Sequence, residues 1–497
     1  MCDWLLGVAL LLVSIGAGAA GDETLDIGSK RFTESYVLAH VVAQAAQPHA
    51  PTKVLEGLGN TAIVYEALRS GRIDLYPEYL GTIDLEILRN PAPTSIDAMR
   101  RRLAPLGLGV GIALGFNNGY ALAMRAADAQ RLGIKTLSDV ARHPQLRLGL
   151  SNEFIGRADG WPGLAQRYGL RQQPIGLDHG LAYEALAKGQ VDAIDIYTTD
   201  AKIAQLGLRV LVDDLGYFPR YDAVLLYRLD VPQRFPAAWA ALQRLAGRID
   251  EGAMIAMNAR AERDGVGFET IARDHLAGRS AAGASAPRGF WAKLFGDDLA
   301  RLAAQHLGLV LAAVSAAVAI GVPLAVAVAA RPRWRAAVLG ATGVLQTIPS
   351  LAMLALLISW LGAIGAVPAL IALTLYALLP IVRNTCTGLA EVPAGVKQAA
   401  IALGLRQRDR LRHIELPLAF PTIVAGVRTA TMICVGTATI AAFIGAGGFG
   451  ERIVTGLALN DNALMIAGAL PSALLALLFE GAFEIAERSM VRRAARQ

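Results

Sequence analysis

The chain has 497 residues, 54% of them hydrophobic and 18% charged, with a formal net charge of +6. That balance is too apolar for an ordinary soluble enzyme, and the basic excess comes without any nucleic-acid reading motif, so no nucleic-acid partner is expected. The cysteines Cys2, Cys386 and Cys434 form no CxxC or Cys/His cluster, which leaves no metal site, cofactor or disulfide framework to expect.

Residues 1–20 open with an apolar stretch, Trp4 to Ile15, followed by Ala17-Gly18-Ala19. This reads as a secretory signal peptide, although its first residues carry Asp3 and no Lys or Arg. An uncleaved anchor is the alternative reading.

Residues 22–276 alternate short apolar runs with helical patterns, such as Leu25–Gly28 ahead of a helix from Glu34, and Leu146–Leu150 ahead of another. The alternation predicts an α/β domain with mainly parallel sheets. Two stretches, Ile112–Met124 and Tyr217–Tyr227, read as crossings between lobes. Two crossings give a two-lobed periplasmic-binding-protein fold of type II, which closes on its ligand like a hinge.

A series of strings follows in order: Gly28-Ser29-Lys30-Arg31-Phe32-Thr33-Glu34, Gly57-Leu58-Gly59-Asn60-Thr61, Asp74 to Thr82, and Phe116-Asn117-Asn118-Gly119-Tyr120. Then come Glu153-Phe154 with Arg157 and Asp159-Gly160, Asp195 to Asp200, and Asp213-Asp214 leading to Phe218-Pro219-Arg220-Tyr221. Together they resemble the glycine betaine/choline/carnitine class of osmoprotectant-binding proteins over nearly the whole domain. The resemblance implies an aromatic cage with Tyr79, Tyr197 and Tyr221 as walls and Tyr120 as a further candidate. A trimethylammonium group has no N–H to donate, so aromatic faces must hold it, at ~0.5–2 kcal/mol for each good contact. The resemblance also places Lys30 and Arg157 at the carboxylate end of a betaine, with Thr82 as a hydrogen-bond donor. Arg suits that role through its planar fork. Thr33 and Thr61 precede helices and read as caps ahead of ligand contacts. Gly119 stands where relatives often carry Thr.

Residues 277–298 read as a linker, rich in Ala, Gly and Ser through Pro287. Phe290, Trp291 and Phe295 then meet the membrane surface. From 299 to 490 the chain is a membrane domain. Five apolar segments qualify as spans, roughly 303–329, 336–361, 366–383, 416–444 and 463–485. Arg331, Arg333 and Arg335 follow the first, and Lys397, Arg406, Arg408, Arg410 and Arg412 follow the third. Arg488, Arg492, Arg493 and Arg496 follow the last, while the alternate connections are poor in Lys and Arg. By the positive-inside rule, residues 22–298 lie outside and the C-terminus is cytoplasmic. Pro349 and Pro380 fall inside the second and third spans, either as pore-lining breaks or as simple kinks.

The loop after the third span holds Gln398-Ala399-Ala400, Gly404, Ile414 and Leu416-Pro417. The spacing resembles the ABC-permease motif E-A-A-x3-G-x9-I-x-L-P, with Gln398 in place of the usual Glu. The resemblance implies a helix, a glycine turn and a second helix that dock into an ATPase. No G-x-x-x-x-G-K-[ST] phosphate loop occurs in the sequence, so ATP hydrolysis falls to a separate subunit. The expected protein is therefore an ABC importer subunit of the bacterial inner membrane: a periplasmic binding domain fused to an all-α permease that pairs as a homodimer. Its solute is a quaternary ammonium compound such as glycine betaine, choline or carnitine; ergothioneine or another betainised amino acid is the alternative. A ligand-gated channel would insert its spans within the binding domain, and a solute sensor would need an output domain. An enzyme would need Ser-His-Asp or metal-ligand spacings, whereas His179 and His275 stand isolated.

Overall fold

The computed structural model describes residues 23–157, 159–279, 289–459 and 461–494. The apolar segment read as a signal peptide and residues 280–288 of the linker lie outside the described residues.

The first lobe contains the strands β1 (Leu25–Gly28), β2 (Thr52–Leu55), β3 (Leu75–Tyr79), β4 (Leu108–Gly111) and, from late in the domain, β10 (Ala223–Arg228). The second contains β5 (Tyr120–Arg125), β6 (Leu148–Ser151), β7 (Ile175–Leu177), β8 (Ala193–Tyr197) and β9 (Leu208–Val210). The orders are β2-β1-β3-β10-β4 and β7-β6-β8-β5-β9. The chain thus crosses between the lobes twice, after β4 and after β9. The sheets are not mainly parallel, however. β10 runs antiparallel to β3 and β4, and β5 runs antiparallel to β8 and β9. These two strands arrive from the opposite lobe, without the helical crossover that forces parallel pairing.

Five helices of this domain matter below: α1 (Thr33–Ala46), α2 (Thr61–Arg69), α3 (Asn152–Gly156), α4 (His179–Ala187) and α5 (Glu251–Glu262). Most of α1 is buried, because it packs between β1, β2 and the helices that close the domain.

The second half is helical: α6 (Leu299–Ala329), α7 (Pro332–Thr347), α8 (Ser350–Leu361), α9 (Ala366–Glu391), α10 (Ala394–Ala402), α11 (Leu416–Ala438), α12 (Gly450–Leu459) and α13 (Asn462–Ala494). Among the described residues, four helices are long and apolar enough to cross a membrane, and the α7–α8 pair makes up to five. That pair is bent by 99°. Ile348, directly before Pro349, is extended, as the proline ring requires of its neighbour. Pro349 is thus a true break, whereas Pro380 lies inside the continuous α9. Leu58, Val64, Leu68 and Ile83 of the first lobe share one apolar cluster with Val310, Leu357, Ile364 and Ile444, so this lobe sits directly on the membrane helices.

Candidate functional site

The cleft between the lobes is built from element ends. Tyr79 ends β3, Tyr120 begins β5 and Tyr197 ends β8. Tyr120 and Tyr197 are direct cross-strand partners, and Tyr221 precedes β10, whose Ala223 pairs with Tyr79. Strand ends can present rings toward the cleft without exposing a ladder edge. One small cavity is lined by Lys30, Tyr79, Thr82, Tyr120, Arg157, Tyr197 and Tyr221, with Phe32, Asn118 and Glu153. All seven residues singled out in the sequence therefore meet there.

The rings form a continuous wall. Tyr120 lies 5.1 Å from Tyr197 and 5.6 Å from Tyr221, the latter edge-on at 80°. Phe32 lies 5.2 Å from Tyr197 and 6.4 Å from Tyr79. Phe32 was quoted in the first string without a role. Its one mark in the sequence is its place in that string, directly ahead of the helix that begins at Thr33.

The charged residues are more engaged than the sequence suggested. Lys30 Nζ is 2.5 Å from Glu78 Oε1 and lies over the Tyr79 ring at 4.8 Å. Arg157 spends its fork on Asp159, with Nε and Nη2 each at 2.7 Å. Tyr221 also donates to Asp159, and Arg157 Cζ lies 5.2 Å from the Tyr120 ring. Thr82 accepts from Arg157 at 3.2 Å, which leaves its own O–H to donate. Arg157 Nη1 faces Glu153 at 3.6 Å. Glu153 is therefore paired as well, through Arg157 and, from the other lobe, Thr61.

Neither threonine is a cap. Phe32 is the N-cap of α1 and makes no side-chain cap bond, and Asn60 caps α2 through Ile63 N. Thr61 Oγ1 instead reaches across the cleft to Glu153 Oε1 at 3.0 Å.

Behind the cavity, Glu34 is fully buried and accepts from Tyr79 and Asn118 on one oxygen, and from Thr199 and Asn258 on the other. Burial raises its pKa to about 7, against the hydrogen bonds from Thr199, Tyr79 and Asn258. A second compartment adjoins the cavity through Lys30, Phe32, Glu153 and Tyr197, and extends to Asn60, Asn152, Asp178 and His179. The His179 ring lies 4.4 Å from Tyr197, with Nε2 3.0 Å from Asp200 and a buried Nδ1 without a hydrogen-bond partner. Burial opposes its protonation, but the adjacent Asp200 carboxylate prevails and holds the imidazole above its ordinary pKa. Sequence reading had left His179 as an isolated residue, because α4 and β8 meet only in the fold.

In the membrane half, Gln398, Ala399 and Ala400 lie on α10, and Gly404 follows with φ of +76°. Ala400 is buried, whereas Ile401 and Leu403 are exposed.

Fold and cleft together define a solute-binding domain carried on a transport permease. Residues 23–278 match the substrate-binding domain of ABC-type glycine betaine transport systems, and residues 317–492 match the binding-protein-dependent transport system inner membrane component. A glycine-betaine-binding protein of Pseudomonas aeruginosa is 36% identical over 280 residues, 52% of this chain and 89% of that one. An osmoprotectant import permease protein of Salmonella typhimurium is 46% identical over 187 residues, 37% of this chain and 86% of that one. An ergothioneine transport permease/ergothioneine binding protein of Helicobacter pylori is 33% identical over 280 residues, 55% of this chain; the alignment covers 50% of that relative's length. The chain belongs to the family of substrate-binding domains of ABC-type glycine betaine transport systems, fused here to a permease component, and is an integral inner-membrane protein. Its relatives are binding and permease proteins, not enzymes.

Proposed function

We propose that this chain binds a quaternary ammonium solute on the periplasmic side and carries it through its own permease domain, powered by a separate ATPase subunit. The observation that carries this reading is the convergence of Phe32, Tyr79, Tyr120, Tyr197 and Tyr221 on one cavity with Glu153 beside them. Ring faces attract a cation that has no N–H to donate. Arg157, held by Asp159, meets the other end of the solute by exchanging its longer Nη1 contact with Glu153 for the solute carboxylate.

In this reading the permease domains pair as a homodimer and the C-terminus is cytoplasmic, where α10 and the Gly404 turn offer Ile401 and Leu403 to the ATPase. Each permease then carries its own binding domain at high effective concentration.

A specific feature favours a second reading of the solute. The compartment beyond Phe32 and Tyr197 has polar walls from Asn60, Asn152, Asp178 and His179. It would house the side chain of a betainised amino acid such as ergothioneine. Calorimetric titration of the full chain in nanodiscs with glycine betaine, choline, carnitine and ergothioneine tests both readings. Tight binding of one of them, weakened about five- to thirty-fold in Tyr197→Ala, is the expected result. Binding unchanged by removal of the ring, or no binding by any of the four, overturns the cage.

A further inference from the structure

We propose that Arg31 reports closure of the solute cleft to the membrane domain, by laying its guanidinium on Phe443. The proposal rests on the cage reading above and names the residue pair that couples it to transport.

Lys30, Arg31 and Phe32 are consecutive. The two outer side chains line the solute cavity. Arg31 and Phe32 form the bend that leads into α1. Arg31 borders the adjoining compartment, and its Cζ lies 4.6 Å from the centre of the Phe443 ring. A cation over an aromatic face attracts whenever the geometry permits, most strongly when shielded from water.

The segment that carries Arg31 is fixed to its neighbour. Arg31 N donates to Gly59 O and Leu58 N to Ser29 O, both at 3.1 Å, and Gly57 N donates to Ser29 Oγ at 2.9 Å. Leu58 in turn presses on Gly445: a Cβ there would come within 2.5 Å of Leu58 Cδ2, and the φ of +72° favours glycine independently. The first lobe therefore stands on Phe443 and Gly445 through a loop pair that also shapes the cavity. The second lobe stands elsewhere, with α4 against α12, and α4 begins at His179, in contact with the Tyr197 wall. Both contacts are made to one membrane domain in this closed arrangement. Opening the hinge would separate the two feet, so the pair of contacts is specific to the closed cleft.

Phe443 also sits at a useful end of the helix system. It belongs to the turn Ile440–Ile444 that follows α11. The other end of α11 begins at Leu416-Pro417, the close of the ATPase-coupling motif. One rod of 23 residues thus joins the Arg31 contact to the coupling loop, a span of ~35 Å at 1.5 Å per residue. A cavity lined by Arg31, Asn60, Leu354 and Phe443 opens beside the contact and leaves room for it to break.

The test uses the full chain. Cells expressing the transporter are assayed for uptake of labelled glycine betaine, and the purified chain in nanodiscs is titrated with the same solute. Arg31→Ala and Phe443→Ala are each expected to lower maximal uptake about tenfold while Kd stays within about twofold, because the contact acts after binding. The double variant should be no worse than either single, as for partners in one contact, and Phe443→Trp should restore uptake to the wild-type level. Unchanged uptake, additive losses, or a Kd that moves in step with uptake would overturn the proposal. A solute-independent arm separates it from the cage reading: Arg31→Cys with Phe443→Cys should crosslink in membranes through a short bifunctional reagent. Crosslinking without glycine betaine binding by the parent chain would sink glycine betaine as the solute and leave the contact standing; failure to crosslink would remove the contact itself.

Discussion

The Tyr79 hydroxyl donates to the Glu34 carboxylate at 2.5 Å, so a wall of the cage is held from behind by a fully buried acid. Glu34 also accepts from Asn118 on the inter-lobe crossing, from Thr199 just past β8 and from Asn258 on α5. The cage wall and the hinge therefore share one carboxylate.

This gives a pH dependence with a definite sign. Burial raises Glu34 from 4.5 to about 7 in the folded chain. Between those values the folded form holds more protons than the unfolded one, so stability falls as pH rises through that window, by up to ~1.4 kcal/mol per pH unit, and levels off above it. Thermal unfolding of the chain across pH 4.5–8 (about the interval linkage requires) should show this slope, and Glu34→Gln should flatten it. An equal slope in the variant would assign the effect to other groups.

Tyr197→Ala is expected to weaken solute binding by ~1–2 kcal/mol, about five- to thirty-fold, through loss of one ring face. Tyr197→Phe keeps the face and should bind within about threefold of the parent. Equal losses in the two variants would point to the hydroxyl instead of the ring.

Asp159 neutralises a buried arginine and accepts from Tyr221. Asp159→Ala leaves Arg157 with only its longer contact to Glu153, and removing one partner of a buried pair costs up to ~3–5 kcal/mol. Denaturant unfolding should show a loss of that size; a loss below about 1 kcal/mol would mean water replaces the carboxylate.

Thr61 and Glu153 face each other across the cleft, so their bond exists only when the lobes are closed. Thr61→Val should therefore weaken solute binding by ~1.5–3 kcal/mol, the range of a hydrogen bond to a charged group. A large change in unfolding midpoint with unchanged affinity would contradict a closure role.

Gly404 has open space around its Cα but a φ of +76°. A β-branched side chain strains that turn most. Gly404→Val is expected to abolish uptake while titration still shows solute binding. Retained uptake would remove the coupling assignment from this loop.

Much of this protein is legible without coordinates. The apolar excess after residue 299, the alternation of basic connections and the spacing from Gln398 to Pro417 identify a permease half. Each depends on local composition or on a fixed spacing along the chain. The seven residues from Lys30 to Tyr221, picked out through motif order, line one cavity.

The tertiary structure alone decided what those residues do to one another. Lys30 and Glu78, Arg157 and Asp159, and Thr61 and Glu153 are pairs whose choice depends on burial, since a charge removed from water must find a partner or neutralise. The antiparallel entry of β5 and β10 follows from which lobe each strand leaves. Glu34, Phe32 and His179 gained roles only when α1, α4 and β8 were brought together. Local patterns along the chain fix the periods of helices and strands, but charge pairing and ring contact are set by distance in space, which the hinge and the docking of the lobe on Phe443 supply.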